Sequence, residues 1–155
     1  MRIVTWNLNG IRAASRKGLN DFIDKIASDI WLFQEVRALP EQMPKDWVPH
    51  GGHEAIWHPA QKKGYSGVST WSRVGISEEG RGIPTIVDID DSEGRVLYTK
   101  HGSLHCINIY LPNGSSNEER QRFKDQWLED LLTWSKKFID LDEPVLICGD
   151  LNIAH

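Results

Sequence analysis

The stretch that most constrains this sequence is Ile30-Trp31-Leu32-Phe33-Gln34-Glu35, an almost continuous apolar run that ends in a carboxylate. A strand with one wet face alternates apolar and polar residues, whereas an unbroken apolar run belongs to a strand covered on both faces. The run therefore predicts a buried strand inside a layered, mixed α/β domain, with strands packed against helices. It also singles out Glu35, because an acid placed directly after a buried strand needs a reason to be there.

The rest of the chain fits the same plan. Residues 2–6 (RIVTW) read as a short strand that stops at the polar cluster Asn7-Leu8-Asn9-Gly10, taken as a loop. Residues 19–27 carry Leu19, Phe22, Ile23 and Ile26 at helical spacing. Short segments of period-two character at residues 55–58, 67–73, 83–90, 95–100 and 103–110 predict strands, with hairpin-like turns at Gly94 and Gly102. Strands that follow one another without helices between them predict antiparallel pairing. Residues 117–140 give the clearest helix: Phe123, Trp127, Leu131, Trp134 and Phe138 share one stripe, opposite a charged face. Ser116, with Glu119 three residues on, fits a capping box. Pro144 opens a last strand at residues 145–148, which runs into Gly149-Asp150-Leu151-Asn152. Neither a repeat nor a linker divides residues 1–155, so one domain, or the N-terminal part of one, is expected.

Composition narrows the classes of function. With 39% hydrophobic and 26% charged residues the chain reads as globular. No apolar run approaches the roughly 18 residues that span a bilayer, and the first residues lack a signal-peptide pattern. Those features set a cytoplasmic expectation, meaning the nucleoid of a bacterium or the nucleus of a eukaryote, and no membrane partner. Cys106 and Cys148 each lie in an apolar segment, outside any CxxC or His-paired spacing, and read as reduced core thiols. The seven tryptophans read mostly as core. A net charge of −4 counts mildly against nucleic-acid binding. A phosphodiesterase needs carboxylates for its metal, however, and a local basic face coexists with an acidic total.

Three strands end in groups that suit a hard cation: the first at Asn7, the second at Glu35, the last at Asp150 and Asn152. Magnesium takes a few oxygen ligands, keeps several waters and is completed by substrate phosphate. Taken singly, the asparagines and Asp150 read as turn formers rather than ligands. Tyr110 and Asn113 flank a proline turn and can donate to phosphate oxygens; an aromatic strand residue beside an ordinary turn is the plain alternative. Lys62-Lys63-Gly64-Tyr65-Ser66-Gly67 is a basic, glycine-rich loop suited to a DNA backbone or simply to water.

Together these segments resemble a known family. Trp6-Asn7-Leu8-Asn9-Gly10-Ile11-Arg12, Leu32-Phe33-Gln34-Glu35, Gly64-Tyr65-Ser66-Gly67, Glu93-Gly94-Arg95, Tyr110-Leu111-Pro112-Asn113 and Gly149-Asp150-Leu151-Asn152-Ile153-Ala154-His155 stand in order along the chain. They are similar to the successive motifs of the exonuclease III type of abasic-site endonucleases, within the endonuclease/exonuclease/phosphatase superfamily. A single WNxNG or GDxN would be weak; six in order are specific.

The resemblance implies an α/β (α+β) fold, a two-sheet β-sandwich flanked by helices in four layers. It implies magnesium (or manganese) on Glu35 with Asn7 in the metal shell, Asp150 orienting or deprotonating water, and Asn152 holding that water or a phosphate oxygen. Tyr110 and Asn113 would contact the scissile phosphate, and Tyr65 and Arg95 the DNA near the lesion. The implied substrate is double-stranded DNA with abasic sites, nicked 5′ to the abasic sugar, or with 3′ ends to be trimmed.

Family domains continue beyond the point matched by His155, with further strands and an Asp-His pair. His50, His53, His58, His101 and His105 lie outside the matched motifs and His155 just past one, so none replaces that histidine. The expectation is that these 155 residues alone cut abasic DNA poorly, leave an apolar sheet face uncovered, and need a C-terminal segment or another chain to complete the fold. Two other readings are a superfamily phosphodiesterase for lipid or inositol phosphates, and a fragment that binds DNA or a partner without cutting it.

Overall fold

The computed structural model describes residues 1–84, 91–113 and 118–153. Two four-stranded sheets form its centre. The first holds β1 (Ile3–Asn7), β2 (Ile30–Gln34), β3 (Glu54–His58) and β4 (Val68–Ser72), in the order β1-β2-β4-β3. The second holds β5 (Glu78–Arg81), β6 (Val96–His101), β7 (Leu104–Tyr110) and β8 (Val145–Asp150), in sequence order. Consecutive strands pair antiparallel, as β3 with β4, β5 with β6 and β6 with β7. The pairs β1–β2 and β7–β8, each joined through a helix, are parallel.

Alternation along the central strands explains the layers. In β2, Trp31 and Phe33 face α1 (Ile11–Arg16) and α2 (Leu19–Ile26), joining Ile11, Leu19, Ile23 and Trp71 in one core. Ile30 and Leu32 point the other way and meet Cys106 of β7 between the sheets. In β7, Ile107 and Ile109 face α3 (Glu118–Ser135), whose Trp127 and Trp134, with Phe138 just after it, close a third cluster. The result is a mixed α/β arrangement of helices, sheet, sheet and helix.

The buried run at residues 30–34 is thus covered on both faces. Among the described residues the uncovered apolar surface lies at the β8 edge of the second sheet, where Ile147 is exposed, with Leu151 and Ile153 just past it, and along and just after α3 at Leu132, Ile139 and Leu141. Among described residues, two elements escape the sequence reading. Helix α1 lies just past the loop at Asn7 to Gly10, in residues given no element, and β5 is the polar Glu-Glu-Gly-Arg, which has no apolar alternation to betray it. The expected strand at residues 83–90 and the capping serine Ser116 fall largely or wholly outside the described residues. Both cysteines are free, and no described helix is long and apolar enough to cross a membrane.

Candidate active site

The two parallel strand pairs end at the same edge of the sandwich, and the side chains at those ends meet. Asn7 closes β1, Glu35 follows β2, and Tyr110 and Asp150 are opposite one another at the ends of β7 and β8. Beneath them, polar groups bridge the sheets. Gln34 Nε2 donates to Asn108 Oδ1 at 2.7 Å, and Asn108 Nδ2 donates to the carbonyls of Phe33 and Ser69 at 3.1 Å. These groups are fully buried, so the bridge fixes the register of one sheet on the other.

Local backbone aims the site residues. Glu35 has φ 50 and Arg37 φ 48, left-handed values that cost a non-glycine residue about 1 kcal/mol or more. The turn is held because the amides of Gly10 and Ile11 donate to the Glu35 and Val36 carbonyls at 2.8 and 3.0 Å, while those of Val36 and Arg37 donate to the Gly67 and Ser66 carbonyls. On the other sheet, a Cβ at Gly149 would stand 1.9 Å from the Ile109 carbonyl oxygen. Only glycine lets β8 approach β7 there and set Asp150 beside Tyr110.

The Tyr110 hydroxyl donates to Glu35 Oε1, and Arg37 pairs with Glu35 Oε2. Asn7 Nδ2 donates to Asp150 Oδ2 at 2.7 Å, while its Oδ1 accepts from the Asn9 amide at 2.9 Å. Asn152 donates its amide to Asp150 Oδ1 at 3.2 Å and its Nδ2 to the Leu111 carbonyl at 2.9 Å. Burial pushes the Glu35 carboxyl up, but hydrogen bonds from Tyr110 and Asn7 and the Arg37 charge outweigh it and hold its pKa below the ordinary value. Burial, followed by the Glu35 carboxylate, drives the Tyr110 phenol well above its usual range, so it stays a proton donor.

The sequence-derived candidates therefore divide into groups. Asn7, Glu35, Tyr110 and Asp150 form one cluster, with Asn152 at its margin. Tyr65 and Arg95 form a second group beside it, with Glu93. Arg95 is only 3% exposed: it donates from Nε to Glu93 and from Nη1 to the Tyr110 carbonyl, and lies 4.8 Å from the centre of the Tyr110 ring. Asn113 is exposed just past β7. His50, His53, His101 and His105 are occupied elsewhere, with Asp24, the His50 and Ser28 carbonyls, the Gly75 carbonyl and Thr99, and Tyr98 and Glu143 respectively. His58 Nδ1 donates to the Val96 carbonyl at 2.8 Å.

Sequence reasoning missed Arg37 on Glu35, and it missed a cavity of about 420 Å³ lined by Gly10, Arg12, Ala13, Arg16, Arg37 and Gly64. Three arginines around one opening give a local basic face on an acidic chain. Arg12 and Arg16 stand at i and i+4 on α1, a spacing that only a helix at residues 11–16 turns into one face. Among described residues, no group of three or more His, Cys, Asp or Glu is placed to hold a metal ion.

Comparison with known proteins supplies the context. The model of the endonuclease/exonuclease/phosphatase family matches residues 4–155. An exodeoxyribonuclease of Bacillus subtilis is 35% identical over all of this chain and 60% of its own length. A DNA-(apurinic or apyrimidinic site) endonuclease of Dictyostelium discoideum is 30% identical over all of this chain and 42% of its length. The solved structure of a 3′-5′ exonuclease from Neisseria meningitidis superimposes with a TM-score of 0.87 at 25% identity, covering 99% of this chain and 59% of that one. The chain thus spans about half the length of the curated relatives it matches.

Proposed function

The chain belongs to the endonuclease/exonuclease/phosphatase family, and from that premise we propose that its protein is a divalent-cation-dependent DNA-repair nuclease. Its substrate is duplex DNA with abasic sites, cut by phosphodiester hydrolysis, and it also processes 3′ ends. The observation that carries this reading is the meeting of Glu35, Asn7, Tyr110 and Asp150 at the ends of four strands from two sheets.

The donor set fits magnesium, with manganese as the alternative: two carboxylates and an amide offer hard oxygens while leaving room for water and a phosphate. Glu35 would hold the ion with Asn7 beside it. When bound, the cation supplies Lewis-acid stabilisation of the charge that grows on the phosphate.

The protein's own groups divide the remaining work. Asp150, oriented by Asn7 and by the Asn152 amide, accepts the proton of the attacking water at a carboxylate oxygen. Asn152 holds that water or a phosphate oxygen. Tyr110 keeps its hydroxyl proton and donates it as a hydrogen bond to a phosphate oxygen or to the leaving group. Asn113 and Tyr65 contact the DNA alongside, and the cavity of Arg12, Arg16 and Arg37 receives flanking backbone phosphates. Similarity to the Neisseria exonuclease favours activity at 3′ ends through the same groups.

The test is cleavage of a duplex containing one abasic site, with magnesium, by the product of the complete gene. Glu35→Ala lowers the rate by about a thousandfold or more. Undiminished cleavage by that variant, or wild-type activity only on lipid or inositol phosphates, sinks the proposal. Assaying the 155 residues beside the complete product tests the expectation that they cut poorly by themselves.

A further inference from the structure

In the first turn of α3, Arg120 is joined to the site through a carboxylate it shares with Arg95. Glu93 Oε2 accepts from Arg95 Nε at 2.6 Å and from Arg120 Nη2 at 2.8 Å, while Arg120 Nη1 lies 3.3 Å from Oε1. Both guanidiniums also donate to the Tyr65 hydroxyl at 3.2 Å, and Tyr65 donates to Glu93 Oε1 at 3.4 Å. Arg120 itself lies 4.7 Å from the centre of the Phe123 ring. Arg95 continues the chain of contacts to the Tyr110 carbonyl and ring, and the Tyr110 hydroxyl reaches Glu35.

Two like charges on one carboxylate repel each other, so the place Arg95 takes over Tyr110 depends on where the second guanidinium fixes Glu93. A planar fork that binds an acid and a hydroxyl together does this, and a lysine ammonium does not. We propose that Arg120 is a positioning residue of the site: by fixing Glu93 and Tyr65 it holds Arg95 against Tyr110, and so sets the direction of the Tyr110 hydroxyl. This deepens the reading of Tyr110 as a catalytic residue and rests on it, yet its test does not require turnover.

The test follows the Arg95 Nε–H by ¹⁵N NMR and the Tyr110 ring by ¹³C NMR, the latter simplified because the chain has three tyrosines. In both Arg120→Met and Arg120→Lys, exchange of the Arg95 Nε–H with solvent accelerates about tenfold and the Tyr110 ring signal moves, while the β2 amides keep their shifts. An Arg120→Lys protein with both signals as in the wild type overturns the proposal, since charge alone then suffices. Should the Arg120 variants lose the β2 signals, Tyr65→Phe removes the hydroxyl both guanidiniums share; an unmoved Tyr110 signal there overturns the proposal equally. In the complete gene product, Arg120→Lys lowers kcat about tenfold, with a smaller change in KM through Tyr65. If the wild type cuts no DNA, the nuclease reading fails while the NMR measurement still decides the role of Arg120.

Discussion

In the half of the molecule built on β1 to β4, two short helices bury Ile11, Leu19 and Ile23 to 2% exposure or less against a strand that is itself sealed. In the half built on β5 to β8, the much longer α3 buries Trp127 and Trp134 but leaves Leu132 60% exposed, and Ile139 and Ile147 beyond it are 76% and 44% exposed. The contrast teaches that helix length is a poor measure of cover; what matters is how many apolar side chains the stripe presents to a sheet. It also makes the candidate site unequal. Glu35 and Tyr110 stand on sealed central strands, whereas Asp150 ends an edge strand and takes its orientation partly from Asn7 of the other sheet.

Four measurements sharpen or break that comparison. Phe33→Ala empties the sealed core of the first half, where the ring touches Trp31 and Trp71, and is expected to cost about 4 kcal/mol in urea unfolding. A loss below about 1 kcal/mol would mean that this half is no more tightly packed than the other. Asn108→Ala removes three buried hydrogen bonds to the opposite sheet, one from Gln34 and two to the carbonyls of Phe33 and Ser69, with an expected loss of about 3 kcal/mol. Near-neutral behaviour there would show that the polar bridge does not couple the halves.

A third, smaller effect is pH-dependent. The folded pKa of Glu35 and that of Glu93 are both lowered, Glu93 because Arg120 and Arg95 outweigh the burial that pushes it up. Each carboxylate therefore contributes stability that is complete above the ordinary glutamate value of 4.5 and is lost as pH falls through the lower folded value. Thermal melts from pH 7 downward should show this loss, and Tyr110→Phe should shrink it by removing the Tyr110 share of the Glu35 part. Equal slopes for Tyr110→Phe and wild type would deny Tyr110 that role. Leu132→Ala, on the exposed side of α3, should stay within about 0.5 kcal/mol of wild type. A loss as large as that of Phe33→Ala would mean that α3 is covered after all.

Much of this was legible beforehand because it follows from local rules. Leu19, Phe22, Ile23 and Ile26 repeat at helical spacing, and α2 spans Leu19–Ile26. The apolar run from Ile30 is a strand buried at every position, and Glu35 lies just after it. Helix α1 was not legible, because six residues hold too few periods to separate a helix from a polar loop. Strand β5 was not, because a polar edge strand takes its conformation from pairing with β6 rather than from its own side chains.

The sequence by itself marked candidates for chemistry and for core, since charge, periodicity and ordered motifs are properties of the chain as written. Only the tertiary structure decided which of these candidates meet. Asn7 and Asp150 are 143 positions apart, and Glu35 and Tyr110 are 75 apart, so their contacts exist only after two sheets have packed in one register. The same packing turned Arg95 inward and brought Arg120 to the carboxylate it shares. No local pattern encodes those partners, because a long-range contact is fixed by where backbones meet; for Asp150 beside Tyr110 that is the close approach Gly149 permits.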